Sequence, residues 1–71
     1  MTNSLKVERA KRNLTQADLA AKARVSRQTI NSIEVGKYIP STLLALKLAK
    51  VFGTHVDDLF GLEDADLEQL F

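Results

Sequence analysis

The chain has 71 residues, a formal net charge of +1 and no cysteine. That length makes one domain rather than two, and the cysteine count excludes disulfide staples and zinc sites of the usual Cys-rich kind. The longest uninterrupted apolar run, Leu43-Leu44-Ala45-Leu46, falls far short of the roughly 20 residues of a membrane span, and Lys6, Glu8 and Arg9 sit where a signal peptide would carry its apolar stretch. A soluble cytoplasmic protein without a membrane partner is expected.

In chain order, Leu5 to Arg12 reads as helix 1, capped by Asn3 or Ser4. Asn13 ends it, because Asn tolerates the left-handed conformation common just past a helix C-terminus. Leu14 then drops into the core. Thr15 to Lys37 is the stretch around which the rest is organised, two short helices joined by a tight turn. Thr15 is a good N-cap, and Asp18 three residues on can return the hydrogen bond, a variant of the capping box. Leu19, Ala20 and Ala23 mark the apolar face of helix 2 at helical spacing. After Ala23-Arg24-Val25, Ser26 caps helix 3. Its inner face carries Ile30 and Ile33, and its outer face Arg27, Gln28, Asn31 and Ser32, paired at i and i+4. Such side chains, at the N-terminal end of a helix, hold the donors and acceptors that read base edges.

Gly36 follows as a left-handed C-cap, and Lys37-Tyr38-Ile39-Pro40 is a connecting loop. Ser41 caps helix 4, which runs to about Phe52 with Leu44, Ala45, Leu48, Ala49 and Phe52 on one stripe. Gly53 stops it. Val56 to Phe60 gives one or two turns of helix 5, with Asp57 and Asp58 where the helix dipole favours them. Gly61 breaks the chain again. Residues 62–71 are open among a sixth helical turn, an extended strand and a segment ordered by a partner. Five helices with no strand signal give a compact all-α bundle, with residues 1–61 as the domain and 62–71 as an acidic, apolar segment that is a candidate dimerisation element.

The charge divides sharply. All ten bases precede position 53, opposed there only by Glu8, Asp18 and Glu34, a net +7. From Thr54 on there are six acids and no base, a net −6. A basic body suits a polyanion, and the acidic end should turn away from it; a merely solubilising tail would have the same composition.

Enzymatic chemistry has no foothold. His55 is the single histidine and lacks a second metal ligand at matching spacing. Asp57 and Asp58 are adjacent on a helix and point about 100° apart. Ser26 has no His partner, and no Gly-rich phosphate loop exists. No catalysis, cofactor, metal or small-molecule ligand is expected.

Taken together, Leu14-Thr15-Gln16-Ala17-Asp18-Leu19-Ala20, Val25-Ser26-Arg27-Gln28-Thr29-Ile30, Ile33-Glu34-x-Gly36-Lys37, Pro40-Ser41 and Leu48-Ala49 closely resemble the phage-repressor-type (Xre/Cro-like) helix-turn-helix family. The resemblance covers about residues 5 to 60, with the motifs in correct order and spacing. It implies a five-helix domain, similar to the lambda-repressor DNA-binding domain, whose third helix enters the major groove of double-stranded DNA. On that resemblance Arg27, Gln28, Thr29, Asn31 and Ser32 read bases, while Gln16, Ser26, Lys37 and Tyr38 hold phosphates, as free N–H groups at helix N-termini also would. Tyr38 packing under the loop is the plain alternative. Arg9 and Glu34 match a pair that joins helices 1 and 3 and orients the reading helix; the alternative is Glu34 facing Lys37 at i+3. Three positions depart from the pattern: Glu8 where an apolar residue is usual, Val35 in place of Asn, and His55 in place of a Ser or Thr cap, which leaves Thr54 to cap helix 5.

The function so implied is a DNA-binding transcriptional regulator, a repressor acting as a homodimer on a palindromic operator. An antitoxin holding a toxin with its C-terminal segment, and an adaptor without an operator, are the alternatives. One reading helix offers little surface for a specific site, whereas two about 34 Å apart reach successive major grooves. Val56, Leu59, Phe60, Leu62, Leu67, Leu70 and Phe71 are the expected dimer seam.

Overall fold

The computed structural model describes residues 1–68. In order they form β1 (Thr2–Asn3), α1 (Leu5–Lys11), α2 (Gln16–Ala23), α3 (Arg27–Glu34), α4 (Thr42–Phe52), α5 (Val56–Leu59), β2 (Phe60–Gly61) and α6 (Asp64–Glu68). The all-α bundle read from the sequence is present, with one addition. β1 and β2 pair antiparallel, Thr2 against Gly61 and Asn3 against Phe60. Two residues per strand give no alternation to read, so the pairing is visible only once the ends of the domain meet. It also gives Gly61 a different purpose from a chain break: a Cβ there would lie 2.7 Å from the Thr2 hydroxyl.

Capping sets the main helix starts. The Thr15 hydroxyl accepts from the Asp18 N–H at 3.0 Å, and the Asp18 carboxylate accepts from the Thr15 N–H at 2.9 Å. Ser26 accepts from Thr29 N–H at 3.0 Å and Ser41 from Leu44 N–H at 3.2 Å. At α1 the N-cap position is Ser4, but the side-chain oxygen comes from Asn3, whose Oδ1 accepts from Leu5 N–H at 3.2 Å. Ser4 instead turns its hydroxyl to the carbonyl of Leu59 at 3.4 Å. Neither candidate caps α5: His55 makes no side-chain cap bond, and the Thr54 hydroxyl is buried without a partner among the described residues. At the other ends, Asn13, Gly36 and Gly53 take positive φ of 54°, 82° and 66°. So does Arg24, at 59°, inside the α2–α3 turn. That conformation normally falls to Gly or Asn, and nothing in the sequence marks Arg24 for it.

The core is one cluster. Leu5 comes from α1, Leu19, Ala20 and Ala23 from α2, Ile30 and Ile33 from α3, and Leu44, Leu48, Ala49 and Phe52 from α4. Leu59 and Phe60 complete it, and Leu14 and Val25 pack against its edge. Glu8, where an apolar residue would be usual, is half-buried on the helix surface. Its carboxylate meets Lys11 at 3.1 Å and Arg12 at 3.0 Å, which holds it below the usual carboxylate range. Arg12 then reaches over the Phe52 ring, 4.9 Å from its centroid, and donates to the Phe52 carbonyl at 2.7 Å, satisfying the C-terminus of α4.

Of the open readings for the end of the chain, Asp64–Glu68 takes the helical one. The α-amino group of Met1 holds it, 2.8 Å from Glu63 and 2.9 Å from Asp66. Of the residues expected at a dimer seam, Leu59 and Phe60 are 1% and 9% exposed and belong to the core, and Val56 is half-buried against it. Leu62 and Leu67 are exposed, while Leu70 and Phe71 lie outside the described residues.

Candidate nucleic-acid interface

The α2–α3 pair projects one face of α3 away from the core. With Ile30 and Ile33 buried, the 3.6-residue period leaves Arg27, Gln28 and Asn31 exposed and Thr29 and Ser32 half-buried. Gln16, the first residue of α2, joins Arg27, Gln28 and Asn31 around one shallow depression. A broader concavity continues from it past Arg9, Asn13, Thr15 and Ala17. Three of the five residues expected to read bases, Arg27, Gln28 and Asn31, therefore share one surface with Gln16, expected at a phosphate, while Thr29 and Ser32 lie outside its lining.

Below that surface lies a chain of committed polar groups. Arg9 grips Glu34 through two parallel bonds, Nε to Oε2 at 2.7 Å and Nη2 to Oε1 at 2.9 Å, and its Nη1 donates to the Leu14 carbonyl at 3.0 Å. The Gln16 amide donates to Glu34 Oε1 at 3.2 Å and to Asn31 Oδ1 at 3.1 Å. Three elements are thus cross-tied: α1 by Arg9, α2 by Gln16 and α3 by Glu34 and Asn31. Burial pushes the Glu34 carboxyl up, but hydrogen bonds from Arg9 and Gln16 outweigh it and leave its pKa below the ordinary value. The same contact raises Arg9. Glu34 faces Arg9, not Lys37. Behind α3, the Asn3 amide donates to the Ile33 carbonyl at 3.0 Å, so β1 closes the C-terminus of the same helix.

The residues expected at phosphates are placed differently from one another. Lys37 and Tyr38 lie exposed on the loop, whose backbone is pinned by their N–H groups donating to the Ser32 carbonyl at 2.9 and 3.2 Å. Tyr38 is outside the core. Ser26 uses its hydroxyl locally, on the Thr29 N–H and, at 2.8 Å, the Thr29 hydroxyl. What it offers an anion is its place beside the first free N–H groups of α3. Gln16 is tied to its neighbours, as above. The Gln16–Asn31 contact leaves no mark in the sequence, since it forms only where α2 crosses α3.

Among the described residues no three His, Asp or Glu side chains gather as metal ligands, and no helix is long and apolar enough to cross a membrane.

Comparison with known proteins agrees with the geometry. A family model described as helix-turn-helix matches residues 5–59. Over 64 residues the chain is 59% identical to an uncharacterised HTH-type transcriptional regulator of Methanocaldococcus jannaschii, covering 90% of this chain and 97% of the relative. An uncharacterised HTH-type transcriptional regulator of Archaeoglobus fulgidus is 45% identical over 67 residues, 94% of this chain and 96% of its own. A Bacillus subtilis protein, also an uncharacterised HTH-type transcriptional regulator, is 44% identical over 64 residues, 90% and 97% of the two chains.

Proposed function

The chain belongs to the helix-turn-helix family of the phage-repressor (Xre/Cro) type, and we propose that it is a sequence-specific DNA-binding transcriptional regulator, a repressor that binds a palindromic operator as a homodimer. The observation that carries this reading is the exposed face of Arg27, Gln28 and Asn31 on a helix braced from behind by Arg9, Glu34 and Gln16. Arg27 and Gln28 are free to make bidentate contacts with guanine or adenine edges, each worth roughly 1–3 kcal/mol of discrimination. Thr29 and Ser32 flank them at the groove floor. Gln16, Ser26, Lys37 and Tyr38 surround the face and take phosphates, which fix register without carrying sequence. Relatives named as transcriptional regulators support the biological role.

Two copies are needed for a simple geometric reason. α3 has eight residues, about 12 Å of helix at 1.5 Å per residue, enough to span only a few base pairs. A two-fold axis that sets two such helices about 34 Å apart doubles the site and makes it palindromic. Selection from random duplexes at physiological salt tests this directly. An enriched palindrome with half-sites about one helical turn apart is expected. Weak, strongly salt-dependent binding without a motif would overturn the assignment and redirect the search to a protein partner.

A further inference from the structure

With Leu59 and Phe60 in the core, the apolar surface that remains lies elsewhere. α4 is amphipathic on its inner stripe, yet the first half of its outer face is apolar as well: Leu43 is 69% exposed and Leu46 53%. Lys47 and Lys50 occupy the second half. Leu46 also forms one wall of an apolar groove, with Met1, Pro40, Ala45, Val56 and Phe60 around it. Ile39, just before Pro40, is 63% exposed, and Leu62, which follows Gly61 opposite Thr2, is 68% exposed. Exposed Leu or Ile side chains scattered singly need no explanation, but Leu43 and Leu46, one helical turn apart with Leu46 walling an apolar groove, do.

We propose that this face, Leu43 and Leu46 of α4 with the groove between α4 and α5, is the seam that receives a second copy of the chain. The inference rests on the dimeric regulator proposed above and names its contact surface. Three observations select a second copy as the occupant. The surface is self-complementary: projecting Leu43 and Leu46 lie beside a groove, so a two-fold axis seats each pair at its partner's groove. Its charges are complementary too. Lys47 and Lys50 follow Leu46 along α4, and Asp57 and Asp58 follow Val56, which lines the groove; none of the four is ion-paired within the described residues. The exposure also suits. Ile39, Leu43, Leu46 and Leu62 are each more than half exposed, an apolar centre for the ~800 Å² per partner that a stable interface buries. The groove shares no residue with the depression formed by Gln16, Arg27, Gln28 and Asn31, so closing the seam leaves the reading face open.

The full chain and its Leu43→Glu/Leu46→Glu variant are compared by sedimentation equilibrium, with circular dichroism as the fold control. Both leucines are exposed, so the variant keeps its helices. The wild type is expected to be dimeric at micromolar concentration and the variant monomeric, with self-association at least about tenfold weaker and half-site binding kept. A variant as dimeric as the wild type would overturn the seam and leave the dimeric regulator standing. A wild type that stays monomeric even on a palindromic duplex would overturn both. Should the double variant fail to fold, single cysteines decide, since the chain has none of its own. A short bismaleimide should join Leu43→Cys or Leu46→Cys into dimers, but not Ala21→Cys, exposed on α2. Cross-linking at Ala21→Cys alone would refute the proposal.

Discussion

Replacing Arg9 with Met keeps the length of the side chain and removes the charge that Glu34 faces. The two side chains are only 14% and 6% exposed, so Glu34 is left as a nearly buried carboxylate with Gln16 as its one remaining donor. Removing one partner of a fully buried pair costs about 3–5 kcal/mol. The residual exposure of Arg9 and the Gln16 bond lower this to roughly 2–4 kcal/mol. At 0.05–0.15 kcal/mol per residue, a chain of this length has only about 4–10 kcal/mol in total. The melting temperature should therefore fall by about 10–25 °C, or the variant should fail to fold. Arg9→Met combined with Glu34→Leu puts apolar groups on both sides and should recover to within about 1 kcal/mol of the wild type, because the pair's own desolvation cost disappears with it. The assay is urea unfolding of the wild type, both single variants and the double. A coupling energy of about 2 kcal/mol or more is expected from the cycle. Additive losses, with the double variant worse than either single, would show that the bridge does not act as a unit and that α3 is oriented by packing alone.

Acid should act through the same pair. The folded Glu34 carboxyl titrates below its ordinary value near 4.5, so its contribution is complete above that value and is lost as pH falls through the lower folded one; Glu34→Gln should flatten the acid limb of a stability–pH curve, and an unchanged limb would place the sensitivity elsewhere. Arg24 holds a left-handed φ of 59°, at about 1–2 kcal/mol, so Arg24→Gly should stabilise by up to about 1 kcal/mol after Gly's own entropic cost, read as a higher urea midpoint. At the DNA face, Gln28→Ala should relax one base position of the selected motif by roughly 1–3 kcal/mol, whereas Lys37→Ala should weaken all duplexes evenly and reduce the salt slope by about one. If Gln28→Ala left the motif intact, the reading face would be misassigned.

How much of this was legible from the residues depends on the range of the interaction. Capping at Thr15, Ser26 and Ser41, the left-handed Asn13 and the inward Ile30 and Ile33 follow from neighbours within four positions, where periodicity and side-chain chemistry decide. Pairings across the fold were not readable in that way. β1 meets β2 from opposite ends of the domain, and Asn3 reaches the Ile33 carbonyl from 30 residues away. Leu59 and Phe60 illustrate the same gap: their apolar character was plain, but whether it served the core or a second copy depended on how much room α4 and α1 leave beside α5. In so small a core the nearest apolar residues are taken inward first. Arg24 is the reverse case, where tertiary packing of α2 on α3 overrides a local preference.

The polar groups near α3 fall into two populations, and their separation bears on mechanism. Arg9, Glu34 and Gln16 satisfy one another beneath the helix, while Arg27 and Gln28 make no side-chain hydrogen bond among the described residues. The first group is ordered before any ligand arrives, so binding need not supply the entropy of fixing α3 against α1 and α2. The second keeps its donors and acceptors open. Asn31 stands between them, its Oδ1 accepting from Gln16 while its amide donors remain free. Both hydrogens of the Gln16 amide are committed to Glu34 and Asn31, so a phosphate can reach this side chain only by displacing one of them, and a substitution at Gln16 should release Asn31 from its set orientation. Gln16→Ala is accordingly expected to blur the base read by Asn31, whereas Lys37→Ala only lowers affinity for every duplex. If Gln16→Ala changed affinity but left the selected motif as sharp as before, Asn31 would be held by the helix rather than by Gln16, and the brace would end at Glu34.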